Sequence, residues 1–219
     1  MNHAVSAPSD FIQRLVEPGC DRLAVIREAL AAEGVSHEIL RVGDTQHLWV
    51  HPARRVLPGL RVKTLVAHHD RHPDSPGAND NGAAVSRLVE IATSPLYRKA
   101  PNLQLLFTDR EEVLQGDRVR EQGAWKLAAW LRTQADTRRW CFFSFDLFGC
   151  GDTAVLSTTA GLLLRRKRLK GPFDTWKRLF HDLARRAGRH TAVEPVATPL
   201  SDDWSFTAHG FPSLLLTAL

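Results

Sequence analysis

The protein is a chain of 219 residues, of which 43% are hydrophobic and 24% charged, with a net charge of +5. This length supports one substantial hydrophobic core, so we expect a single domain over residues 1–219. No segment approaches the roughly 18 to 20 apolar residues of a membrane helix, and residues 1–10 do not resemble a secretory signal, so we expect a cytoplasmic protein without membrane partners.

Hydrophobic periodicity predicts helices and strands that alternate along the chain. Residues 11–32 show a helical pattern that Pro18-Gly19 interrupts, which predicts two short helices. The next segments expected to form strands are residues 39–42, 48–51, 60–67, 103–108, 141–145, 154–157 and 212–217, and the expected helices are residues 81–93, 119–133 and 173–187. This alternation predicts an α/β fold of three layers, in which helices cover both faces of a mixed, largely parallel sheet.

Four short segments carry the residue types of a two-metal hydrolase site. They read His68-His69-Asp70, Gly77-Ala78-Asn79-Asp80-Asn81, Asp109-Arg110-Glu111-Glu112 and Phe145-Asp146. The first, third and fourth follow expected strands, and ligands collect beyond the carboxyl ends of strands in open α/β sheets. Such a site needs a bridging carboxylate, further His, Asp or Glu ligands, and an unbound carboxylate that takes a proton from water. The residues that suit these roles, in that order, are Asp80, His68, Asp146, Glu112 and Glu111.

The order of these segments resembles the zinc aminopeptidases of the M28 metallopeptidase family, from Thr64 to Leu216. The resemblance implies a zinc-exopeptidase-like fold and a cis peptide between Asp80 and Asn81. It also implies the roles of the site residues: the metal ligands are His68, Asp80, Glu112 and Asp146, the general base is Glu111, and the residue that orients His68 is Asp70.

The final motif departs from the family pattern at one position. Where the family has Ser-Asp-His, this chain reads Ser201-Asp202-Asp203, so Asp203 stands in place of the fifth metal ligand. With Asp203, one of the two metal positions has only oxygen ligands, which suit Mn²⁺ or Mg²⁺ better than zinc. We therefore expect one or two divalent cations, with zinc at the His68 position and weaker binding beside Glu112. The adjacent Trp204 and Phe206 either wall a substrate pocket or pack the last loop.

Three functions remain open from the sequence. The first is a metal-dependent, aminopeptidase-like hydrolase of peptide or aminoacyl substrates, favoured by the intact Glu111. The second is a catalytically silent binding module, favoured by Asp203. The third is a basic, nucleic-acid-associated protein, suggested by the basic run at residues 165–170. Because such runs usually form solvated surfaces and this one lacks interleaved aromatic residues, we expect no nucleic-acid partner.

Overall fold

The computed structural model describes residues 8–112, 118–134, 136–151, 153–164, 167–186 and 193–218. Within these ranges the strands are β1 (Glu38–Val42), β2 (Thr45–Val50), β3 (Val62–His68), β4 (Leu103–Thr108), β5 (Trp140–Phe145), β6 (Ala154–Ser157), β7 (Val193–Val196) and β8 (Ser213–Ala218). The α-helices are α1 (Pro8–Val16), α2 (Arg22–Ala32), α3 (Ala83–Thr93), α4 (Pro95–Lys99), α5 (Gly123–Gln134), α6 (Thr159–Leu164), α7 (Lys167–Arg186) and α8 (Asp202–Ala208).

The described strands form one eight-stranded sheet in the order β1-β2-β4-β3-β5-β8-β6-β7. The central strand β3 runs parallel to both β4 and β5, and β5 runs parallel to β8. The antiparallel pairs are β1 with β2, β2 with β4, and β6 with β8. His68 lies opposite Thr108 in the register of β3 and β4, so the segments after these strands begin side by side.

Helices cover both faces of the sheet because consecutive strand residues point to opposite sides. On β4, Leu105 and Phe107 pack in the cluster with α1, α2 and α3, whereas Leu106 packs in the cluster with α5 and α8. Phe206 of α8 belongs to the second cluster, and its ring stacks on Phe142 with 3.9 Å between centroids. Phe206 is therefore a core residue. The predicted three-layer, mixed and largely parallel α/β fold is confirmed.

Several predicted helices begin at a different residue in the structure, and α3 starts at Ala83 rather than at residue 81. The segment predicted as a helix at 119–133 begins with a 3-10 turn, Val119–Glu121, and α5 starts only at Gly123. Helix α7 spans Lys167–Arg186 rather than starting at residue 173, and it includes Gly171 and Pro172, which both disfavour helix interiors. Of the basic run, Arg165 and Arg166 lie outside the described residues. No described helix is long and apolar enough to span a membrane.

Candidate metal centre

Three side chains converge where β3, β4 and the turn before α3 meet. His68, Asp80 and Glu112 each offer one ligand atom, and these atoms lie within 4.8 Å of one another. The shortest contact joins His68 Nε2 to Asp80 Oδ1 at 3.0 Å. Asp146, which follows β5, places its Oδ1 atom 3.5 Å from the same His68 nitrogen. The structure thus brings together three of the residues predicted as ligands, and it places Asp146 next to His68.

The atoms at this centre suit a zinc ion. His68 Nε2, Asp80 Oδ1 and Asp146 Oδ1 are buried, and apart from their contacts with one another they have no hydrogen-bond partner. Imidazole nitrogen and carboxylate oxygen are the usual non-sulfur ligands of zinc. Burying such groups without partners is costly, and a cation among them removes that cost. The residues present therefore fit a divalent metal ion.

Asp70 connects the ligand segments. Its two carboxylate oxygens accept hydrogen bonds from the backbone N–H groups of Glu111 and Glu112, each at 3.1 Å. Its Oδ1 atom also lies 3.4 Å from His68 Nδ1. Burial alone would raise the pKa of Asp70, but the contact with His68 outweighs burial and holds the pKa below its usual range. Asp70 is thus placed to orient both the imidazole and the glutamate pair.

The adjacent glutamates occupy different environments. Glu112 belongs to the convergent set, whereas Glu111 does not. Glu111 is only 8% exposed, and burial raises its pKa well above the usual value, with Asp202 and Asp146 adding to the rise and His68 opposing it. Gln122 donates to the Glu111 carbonyl at 2.8 Å and fixes the backbone there. A buried carboxyl with a raised pKa beside possible ligands is suited to proton transfer.

The turn that carries Asp80 is tied to the loop after β5. The Asp80-Asn81 peptide is cis, as the resemblance implies. Asn79 Oδ1 accepts hydrogen bonds from the N–H groups of Gly149 and Cys150, and Asn81 Nδ2 donates to the Phe145 carbonyl at 2.7 Å. These bonds hold Asp80 and the segment containing Asp146 at the same edge of the sheet.

Asp203 lies in the first turn of α8 and is 3% exposed. Among the described residues it is not part of the set formed by His68, Asp80 and Glu112. Burial raises the pKa of Asp203 to about 8, with Asp202 and Asp146 adding to the rise and the Trp204 backbone N–H opposing it. The structure therefore places this carboxyl near the centre without joining it to the convergent ligands.

Sequence reasoning did not single out Asp202, which is also buried in this region. Its Oδ2 atom accepts a hydrogen bond from the Thr108 hydroxyl at 2.5 Å, and its Oδ1 atom has no partner. Burial raises the pKa of Asp202 to about 7. Two features of the sequence could have indicated Asp202: it is a second carboxylate in the altered motif, and a threonine that could donate to it ends an apolar strand.

Comparisons with known proteins agree with this architecture. The LapA aminopeptidase of Legionella pneumophila has a TM-score of 0.70 at 14% identity, over 99% of this chain and 61% of that one. A glutaminyl cyclase from an Acidobacteriales bacterium has a TM-score of 0.66 at 20% identity, over 97% of this chain and 77% of that one. The zinc aminopeptidase of Bacillus subtilis has a TM-score of 0.57 at 18% identity, over 78% of this chain and 39% of that one.

Because the sequence identities to these three proteins are 20% or less, the similarities show a shared fold and nothing further. No protein of curated function matches the sequence. The sequence profile of Peptidase family M28 matches residues 59–218, which include His68, Asp80 and Glu112. This protein belongs to peptidase family M28.

Proposed function

We propose that this protein is a metal-dependent hydrolase that cleaves an amide or peptide bond, with aminopeptidase-like specificity. The observation that carries the proposal is the convergence of His68, Asp80 and Glu112 within 4.8 Å, beside a buried glutamate outside the set. We assign residues 1–219 to one catalytic domain.

In this proposal, His68, Asp80, Glu112 and Asp146 hold one or two divalent cations, zinc foremost. A bound cation supplies Lewis acidity, which polarises a carbonyl and lowers the pKa of water. Glu111 accepts a proton from the attacking water at its carboxylate. The water oxygen bonds to the carbonyl carbon, the carbon–nitrogen bond breaks, and Glu111 delivers the proton to the departing amine. Asp70 keeps Glu111 in place through the backbone N–H.

Asp203 is the proposed fifth ligand, supported by its place in the motif and its burial next to Asp202 and Asp146. With Asp203 in place of the family's histidine, a metal position held by Asp80, Glu112 and Asp203 would have oxygen ligands alone. We propose that this position binds zinc weakly and accepts Mn²⁺ or Mg²⁺ more readily.

The aminopeptidase assignment is supported by the family and by the names of two structural neighbours. A second candidate is cyclisation of an N-terminal glutamine. Its support is that the solved structures with a similar fold include a glutaminyl cyclase, at a TM-score of 0.66. In that reaction the α-amine bonds to the side-chain amide carbon, ammonia leaves, and Glu111 carries the proton between the two nitrogens.

One experiment separates the candidates. The full chain, loaded with zinc or Mn²⁺, is incubated with a peptide that begins with leucine and one that begins with glutamine, and products are identified by mass spectrometry. Hydrolysis releases a free amino acid, whereas cyclisation releases ammonia and leaves the peptide otherwise intact. The Glu111→Gln variant, loaded in the same way, serves as the control. Metal-loaded protein that converts neither peptide would overturn both candidates and support a silent binding module.

A further inference from the structure

Arg22, at the start of α2, is a buried cation that is only 5% exposed. Among the described residues, its side-chain hydrogen bonds all go to backbone carbonyls. Its Nε atom donates to Leu15 at 2.9 Å, which anchors the guanidinium to the end of α1. Its two terminal nitrogens reach segments that lie 47 to 55 residues further along the chain. Burying a charge is costly, so this placement is a strong constraint on the surrounding backbone.

The two terminal nitrogens of Arg22 bind the two segments that carry the central ligands. Nη1 donates to the carbonyls of His69 and Asp70, at 3.4 and 3.0 Å. Nη2 donates to the carbonyls of Pro76 and Gly77, at 3.4 and 2.5 Å. The first pair directly follows His68, and the second pair lies just before Asp80. One planar side chain therefore spans both segments.

The turn before α3 is shaped around this guanidinium. A Cβ atom on Gly77 would lie 2.6 Å from Arg22 Nη2 and 2.7 Å from the Asp80 carbonyl oxygen. Gly77 also has a φ angle of 67°, which favours glycine. Its carbonyl accepts from both Arg22 and the Gly82 N–H, the latter at 3.0 Å. Lysine cannot reproduce this arrangement, because its ammonium is a point charge without a planar fork of donors.

We infer that Arg22 is a positioning residue that sets the spacing between His68 and Asp80 and thereby the metal affinity of the centre. The inference rests on the metal site of the proposed function. Arg22 lies outside residues 59–218, the part that the family profile matches. The hydrogen bonds that it donates therefore come from the N-terminal helices, which pack against the sheet in the matched part.

The test compares Arg22→Lys and Arg22→Met with Leu30→Ala in the full chain. Leu30 is fully buried on the same helix, so its truncation destabilises the core without contacting the ligand segments. Zinc affinity is measured by competition with a chromophoric chelator, and hydrogen exchange is measured at the Gly82 amide. We expect both Arg22 variants to lose about tenfold or more in zinc affinity and to exchange faster at Gly82. Leu30→Ala should lower the melting temperature yet keep the wild-type zinc affinity.

Wild-type zinc affinity in folded Arg22→Lys would overturn the inference, whatever the exchange at Gly82, and so would an equal loss of affinity in Leu30→Ala. If Arg22→Met does not fold, the result for Arg22→Lys tests the inference, since this variant keeps the positive charge and removes the planar set of N–H donors. A wild-type protein that binds no zinc would refute the proposed metal site instead. In that case, exchange at Gly82 alone decides whether Arg22 holds the turn.

Discussion

Replacing Asp70 by asparagine should weaken metal binding while leaving the fold intact. The carboxylate accepts two backbone N–H groups at 3.1 Å and contacts His68 at 3.4 Å. An asparagine has one acceptor oxygen, and its amide group turns a donor towards the second N–H. A hydrogen bond to a charged group contributes about 1.5–3 kcal/mol, so losing one shifts both the glutamate pair and the imidazole. Changes of this kind beside metal ligands reduce affinity by about 10- to 100-fold.

The loss is measured by titrating zinc against a chelator indicator, with thermal unfolding recorded in parallel. Asp74→Asn is the matched control, because Asp74 is on the same segment and its side chain is 91% exposed. A tenfold loss corresponds to about 1.4 kcal/mol, well above the error of such titrations. Asp70→Asn protein that binds zinc as tightly as the Asp74→Asn control would refute the orienting role of Asp70.

Three further changes test other parts of the site and fold. Glu111→Gln should abolish turnover and leave the metal content unchanged when measured by elemental analysis; retained turnover excludes Glu111 as the base. Asp203→His should increase bound zinc per chain and raise peptidase activity. If the unmodified protein retains two zinc ions after dialysis, with Asp203 as a ligand, the proposal of weak zinc binding beside Glu112 is wrong. His47 is buried, and burial lowers its pKa from 6.5 to about 3, so the unfolded chain takes up this proton first as the pH falls. Folding stability should therefore fall below pH 6.5 by about 1.4 kcal/mol per pH unit, or about 2 kcal/mol at pH 5, relative to His47→Gln in urea unfolding. Parallel stability curves for the two proteins would refute this assignment.

The central strands could be predicted because they are buried on both faces. Leu105, Leu106 and Phe107 alternate between the two helical layers, so the sequence shows a continuous apolar run that ends where the polar motif begins. Helix α8 escaped prediction for the opposite reason. It is seven residues long and starts with Asp202 and Asp203, so it shows no apolar periodicity. Its position depends on Phe206 packing against Phe142, a contact that local sequence does not encode.

The sequence could predict those site residues whose side chains follow the ends of strands. His68, Asp80 and Glu112 are of residue types that bind metals, and the order of the strands brings their ligand atoms within 4.8 Å of one another. Arg22 could not be found in this way, because its partners are carbonyl groups, which every residue possesses. For Asp203, the sequence identified the substitution, but the direction of its carboxyl group depends on how α8 packs.

The last described strand, β8, lies inside the sheet, between β5 and β6. In the described sheet, β6 and β7 contact the remaining strands only through β8. These two strands therefore join the rest of the sheet only when β8 has taken its place. Until then the facing edges of β5 and β6 have no partner strand, and unpaired strand edges can pair with other chains.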